Sequence, residues 1–247
     1  MEDHRYQGLI YLLSFVLVLS VASNASAELV AHWGLDEDSG TTAFDSSGNG
    51  NDGTLIGGPQ WVAGKIGGAL EFHSGGDCAE YLFPDETWEA CSIALWVKVP
   101  TLGQAGYRAV FSNYTPNSSG LQIDVDGGNP GNYRIHPSGL LFGTVKTDWV
   151  HLAMTCVGTS VTLYYDGSFV TSGNLTAVLF NKFSLGVSRS KGSYAACTID
   201  DFRIYDHALT EQEIQDAMLG RGIAFELAAD PSPANEATDV PREVVLS

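Results

Sequence analysis

The chain has 247 residues, 29 of them acidic and 12 lysine or arginine, for a formal net charge of −17. So acidic a surface repels nucleic acid and anionic lipid, and divalent cations are its natural counter-ions. The length allows one large β domain to bury a core without disulfide or metal staples.

The first 27 residues carry Arg5, then an apolar run from Leu9 to Ala22, then Ala25-Ser26-Ala27. This is the three-part layout of a secretory signal peptide, with cleavage expected after Ala27. A membrane anchor is the competing reading, but the run falls short of the ~20 residues that a spanning helix needs. The expected location is therefore secreted or cell-surface, with membrane contact only through this segment if it stays uncleaved.

From Leu29 onward, short alternating runs are separated by clusters of glycine, asparagine and aspartate. That is the pattern of an all-β antiparallel sandwich or barrel. In Ile93 to Val99, Ile93, Leu95, Val97 and Val99 share one face. In Trp149 to Val157, Val150, Leu152, Met154 and Cys156 do the same. Val161 to Tyr165 runs into Asp166-Gly167, a tight-turn dipeptide that predicts a hairpin with Phe169-Val170. Ile199 to Tyr205 predicts another strand, with Asp200 on the side of Phe202 and Ile204 and in need of buried partners. Thr210 to Leu219 predicts the single helix: Thr210 and Glu213 form a capping box, Leu209 and Ile214 a hydrophobic staple, and Gly220 the stop. We expect it to pack at the sandwich edge. Beyond Gly222 the composition turns to proline, alanine and acidic residues before Glu243-Val244-Val245-Leu246. The expected division is a signal peptide at 1–27, one domain at 28–221, and a linker with the start of a further domain at 222–247.

Cys78, Cys91, Cys156 and Cys197 suit disulfides in an oxidising compartment, and three connectivities are open. Spacing favours Cys78 with Cys91, which closes a short loop, and Cys156 with Cys197, which ties two strands.

Several blocks resemble a known family. Trp33-Gly34-Leu35-Asp36-Glu37, Asp45 to Leu55, Trp61 to Lys65, Gly67 to Phe72, Ile93 to Lys98, Trp149 to Thr155, Val161 to Gly167 and Ile199 to Tyr205 followed by Ala208-Leu209-Thr210 are similar to the laminin G-like, concanavalin A-like jelly-roll domains of secreted bacterial proteins. The resemblance spans about Leu29 to Leu219. It implies a two-sheet antiparallel jelly-roll sandwich with one short C-terminal helix, serving carbohydrate or protein binding and adhesion. It does not imply one ligand, because this type of fold hosts lectins, hydrolases, lyases and spacers.

The resemblance also implies a structural calcium joining the N-terminal region to the last strand. Asp45, Asp52 and Asp200 are its candidate ligands, set in an oxygen-rich stretch with Gly48 and Gly50 for curvature. The plainer reading makes Asp45 to Asp52 two consecutive turns and Asp200 a backbone cap. Asp124-Val125-Asp126-Gly127-Gly128-Asn129 reads as a solvated hairpin loop. For ligand binding, Tyr107, Tyr114, Tyr133 and Tyr194 fall in glycine-rich or polar stretches, with Arg108, Asn113, Arg134 and Arg189 nearby, and offer rings on which a sugar face can stack. Trp33, Trp96 and Trp149 are expected in the core and Trp88 at the surface.

Enzymatic readings find little. Asp85, Glu86 and Glu89 read as part of a turn-like segment beside Pro84 without strand alternation, Asp124 with Asp126 gains no third acid, and neither HExxH nor GxSxG occurs. The sequence thus points to a non-catalytic recognition module for a polysaccharide or surface glycan. A structural or protein-protein adhesion domain, with another surface protein as partner, is the alternative, and a polysaccharide-active enzyme comes third.

Overall fold

The computed structural model describes residues 29–222 other than 105, 114–119, 126, 129 and 176–178. The signal segment, the 222–247 tail beyond Gly222, and Tyr114 lie outside the described residues. Sixteen strands and one helix follow in order: β1 Leu29–Trp33, β2 Thr42–Ala43, β3 Gly53–Ile56, β4 Gln60–Ala63, β5 Gly68–Phe72, β6 Cys78–Thr87, β7 Ala90–Lys98, β8 Ala109–Asn113, β9 Gln122–Val125, β10 Asn132–His136, β11 Leu141–Thr144, β12 Val150–Val157, β13 Ser160–Tyr165, β14 Ser168–Asn174, β15 Leu179–Leu185, β16 Cys197–Tyr205 and α1 Glu211–Met218.

The strands form two antiparallel sheets, the layers of a jelly roll. The first runs β14-β13-β12-β7-β16-β5-β4, with β1 also paired to β16; the second runs β11-β10-β9-β8-β15-β6-β3-β2. Period-two alternation explains why they stack. Ile93, Leu95 and Val97 of β7 and Val150, Leu152 and Met154 of β12 meet Phe111, Ile123, Ile135, Phe183 and Leu185 of the second sheet in one buried core. Trp33 is its aromatic centre, with ring centroids 4.8 Å from Phe183 and 5.5 Å from Phe202. Gly53 has to be glycine here, because a Cβ would lie 2.5 Å from Trp33 Cζ2.

The Asp166-Gly167 turn joins β13 to β14 as expected, with φ of 49° and 75°. The Thr210–Glu213 capping box is also present. The helix position differs from the expected one. Leu209 and Ile214 pack on Ala94, Ala153, Tyr164 and Tyr205, so α1 covers the middle of the first sheet's outer face. That cover explains why β7 and β12 are buried on both faces and why Trp96, which donates to the Met218 carbonyl at 3.1 Å, is shielded outside the core.

β16 departs from simple alternation. Its first half pairs with β5 and its second half with β1 along the same edge, and the register against β7 shifts between Asp200 and Arg203. Asp201 at this bulge has φ 48°. The extra residue puts Ile199 and Phe202 both in the core and moves Asp200, which faces Trp96 across the ladder, to the outer side. This corrects the expectation that Asp200 shares a face with Phe202.

The cysteine pairing read from spacing is corrected as well. The β7–β12 register sets Cys91 directly opposite Cys156. Cys78 opens the ten-residue β6 and Cys91 lies just beyond its far end, about 30 Å of strand away. Cys197 precedes the Thr198–Lys98 pair, at the end of β7 remote from Cys91 and hence from Cys156. All four are thiols in this structure.

Candidate functional site

The outer face of the second sheet carries polar side chains that are nonetheless buried. Ala79, Phe111, Ile123, Ile135, Phe183 and Leu185 point inward, which turns their neighbours outward. The registers then line up Glu80, Ser184, Ser112, Gln122 and His136 in one cross-strand row. Asp124 sits beside it, opposite Arg134.

Asp124 is fully buried and is the hub. Arg134 Nε donates to its Oδ1 at 2.8 Å and Nη2 to its Oδ2 at 3.4 Å, while Gln122 Nε2 also donates to Oδ2. The Gln122 carbonyl oxygen accepts from the Arg189 backbone at 3.0 Å. The Arg134 guanidinium lies 4.8 Å from the centre of the Tyr107 ring, a cation–π stack. Tyr107 is 54% exposed and has φ 66°, so its ring is presented from a constrained backbone. Burial, then the positive charges of Arg189 and Arg134, hold the His136 imidazole below its usual range. At neutral pH it is therefore an uncharged donor and acceptor.

Glu80 is the second carboxylate of this face. Lys182 Nζ approaches it at 2.7 Å and Lys191 Nζ at 3.1 Å. Burial works to raise its carboxyl, but these two lysines outweigh burial and keep it below the ordinary value. Both carboxylates are thus neutralised by cations, an arrangement suited to orienting donors rather than to passing protons.

Of the tyrosines singled out in the sequence, Tyr107 and Tyr194 come to this face. The Tyr194 carbonyl accepts from Arg108 Nη1, and its backbone bridges to Ala109 and Val187. Tyr133 is corrected: it alternates inward with Ile135, is fully buried, and cannot offer its ring to a ligand. Trp88 is corrected too, since it is partly buried against the core. Asp124, read from sequence as part of a solvated loop, is instead the best-buried group of the face. The signal available was its alternation with Ile123 and Val125.

The three carboxylates expected to bind calcium are engaged with nearby backbone and hydroxyl groups, and Asp200 Oδ1 is buried without a hydrogen-bond partner. Asp45 Oδ1 accepts from the backbones of His32 and Ser47, both at 2.9 Å, and its Oδ2 from the Asn51 backbone at 2.9 Å and the Ser47 hydroxyl at 2.7 Å. Asp52 Oδ1 accepts from the Asp45 backbone. Asp200 Oδ2 accepts from the backbones of Lys65 at 2.6 Å and Ile66 at 2.8 Å. These carboxylates cap backbone N–H groups, and among the described residues no three His, Cys, Asp or Glu side chains are grouped to hold a metal.

A cleft of about 250 Å³ opens beside β1 and β16. In it Ser46 Oγ is 2.8 Å from His32 Nδ1, and His32 Nε2 is 2.6 Å from Asp201 Oδ1. The order of groups matches a nucleophilic relay, but the Ser46 backbone and hydroxyl both donate to the His32 carbonyl, at 2.8 and 3.0 Å. The serine is held against its neighbouring strand.

A family model described as the concanavalin A-like lectin/glucanases superfamily matches residues 75–215, more than half of the chain. The chain belongs to this superfamily. Among solved structures, domain 4 of AbnA, an extracellular GH43 arabinanase from Geobacillus stearothermophilus, solved with arabinotriose, is 26% identical with TM-score 0.59, covering 77% of this chain and 98% of that one. The ligand-binding domain of botulinum neurotoxin serotype D, solved with N-acetylneuraminic acid, is 16% identical with TM-score 0.62, covering 78% and 51%. The receptor-binding domain of the C/D mosaic neurotoxin is also 16% identical, with TM-score 0.61 and coverage of 78% and 51%. The chain thus spans about half the length of these neurotoxin domains, and that likeness is one of fold. No curated protein matches the chain.

Proposed function

We propose that this concanavalin A-like domain is a non-catalytic glycan-recognition module of an exported protein, and that its ligand lies over Tyr107 and Arg134 on the outer face of the second sheet. The observation that carries the reading is the Tyr107–Arg134–Asp124–Gln122 array. An exposed ring provides a stacking surface, and a guanidinium fixed by a buried carboxylate provides donors whose orientation is set before a ligand arrives. The arabinotriose bound to the arabinanase domain supports a saccharide ligand. The neutralised carboxylates support binding over hydrolysis, which needs two carboxyl groups free to act as acid and base. Export rests on the layout of residues 1–27.

Glycan-array binding followed by affinity electrophoresis on the retained polysaccharide tests this. Tyr107→Ala and Arg134→Gln are each expected to weaken binding at least tenfold while the thermal transition stays cooperative. Unchanged retention of both variants, or no retained glycan for the wild type, overturns the reading. A protein-adhesion role would then gain ground from the exposed Phe169 and Val170 on the edge strand β14.

A further inference from the structure

Cys91 and Cys156 are direct cross-strand partners near one end of the β7–β12 ladder, and both side chains are buried on the core face. Facing residues of an antiparallel pair have Cα atoms about 4.5–5.5 Å apart, inside the range of about 4.4–6.8 Å that a disulfide spans. The other two cysteines have no such partner: Cys78 faces Ile56, and Cys197 faces Phe72. We propose that Cys91 and Cys156 are a disulfide-forming pair, joined when the chain folds in an oxidising compartment, and that Cys78 and Cys197 remain thiols.

The oxidant is a disulfide, carried by a dithiol-oxidase protein or by a small molecule. The Cys156 thiolate attacks one sulfur of that disulfide and expels the other as a thiolate, giving a mixed disulfide. The Cys91 thiolate then attacks Cys156 Sγ and releases the oxidant's second thiolate. Two S–H bonds are lost and one S–S bond is formed, and the oxidant's disulfide is reduced to two thiols by the two electrons and two protons. The proximity of the two cysteines pushes the Cys91 thiol up and the Cys156 thiol down, which favours Cys156 as the first nucleophile, and Cys156 Sγ donates to the Gly158 carbonyl at 3.5 Å. Cys156 also lies next to the strand end, with exposed Val157 following it.

The bond has a topological effect. The segment between Cys91 and Cys156 contains β8, β9, β10 and β11, and with them Tyr107, Gln122, Asp124 and Arg134. A covalent tie at its base closes the whole excursion that carries the Tyr107–Arg134–Asp124–Gln122 array, which restricts the unfolded chain most for so long a loop.

The full-length chain, recovered after export into an oxidising compartment, is denatured without reductant, alkylated with N-ethylmaleimide and digested without reduction. The expected result is maleimide on Cys78 and Cys197 and one linked peptide joining Cys91 to Cys156. Alkylation of all four cysteines, or linkage of Cys91 or Cys156 to another cysteine, overturns the proposal. Because Cys91→Ser with Cys156→Ser puts two hydroxyls into the core, a second measurement uses Cys78→Ser, Cys197→Ser. Reduction is expected to lower its Tm by about 10 °C, and an unchanged Tm overturns the proposal independently.

Discussion

Asp201 accepts a hydrogen bond from His32 at 2.6 Å across the β1–β16 pairing, while Arg203 Nη2 approaches the same oxygen at 3.1 Å. One buried carboxylate therefore joins the first strand to the last. Burial pushes the Asp201 carboxyl up, but the contacts with His32 and Arg203 outweigh it and leave the group below its ordinary value. Asp201→Ala leaves Arg203 buried without this partner and is expected to cost about 3 kcal/mol in urea unfolding. The effect should fade as pH falls through the carboxylate range, where wild-type Asp201 itself protonates and loses its contribution.

Asp124→Ala removes the anchor of Arg134 and Gln122. The expected outcome is a loss of about 2 kcal/mol of stability, again by urea unfolding, because the half-buried Arg134 guanidinium and the buried Gln122 amide lose the carboxylate that they donate to. Glycan affinity should fall with it at temperatures where the variant is still folded. Retained affinity would show that Arg134 needs no fixed orientation.

Tyr133→Phe separates core from site. The Tyr133 hydroxyl is buried with no hydrogen-bond partner, so its removal should leave the domain at least as stable, by up to about 1 kcal/mol. Glycan retention should match the wild type. A binding defect in this variant would contradict the inward orientation of the ring.

His151 gives a pH dependence of defined sign. Burial pushes its imidazole from 6.5 down to about 4, so the unfolded chain binds a proton that the folded chain refuses between those values. Stability contributed by the neutral ring is complete above pH 6.5 and declines as pH falls toward 4, by about 3 kcal/mol at full extent. His151→Phe should flatten this part of a stability–pH curve measured by chemical denaturation.

Gly53→Ala should destabilise the domain by about 2 kcal/mol, since the added methyl meets the Trp33 ring within a filled core. A lowered Tm with an intact far-UV spectrum is the expected signature.

Much of this architecture is legible in the chain because its cues are local. The alternation of Ile93 to Val99, the Asp166-Gly167 turn and the Thr210–Glu213 box each act within a few residues, and each is realised. What escapes local reading is set by which strands become neighbours. Cys156 meets Cys91 only because β12 lies beside β7, a fact absent from their spacing. Asp124 is buried only because Arg134 is its ladder partner, and Asp201 escapes the alternation of β16 through one extra residue. Tyr133 lay in a polar stretch that suggested a loop, yet its alternation with Ile135 was enough to seat it inside.

The sharing of one β16 edge by β5 and β1 fixes where the polypeptide enters and leaves. Leu29 pairs with Tyr205, and Arg203 donates to the Arg221 carbonyl at 2.7 Å, so both ends emerge at the helix-bearing sheet, on the reverse of the Tyr107 surface. The first and the last described residues are thus tied to the layer behind the proposed ligand surface, which leaves the Tyr107 side free of either.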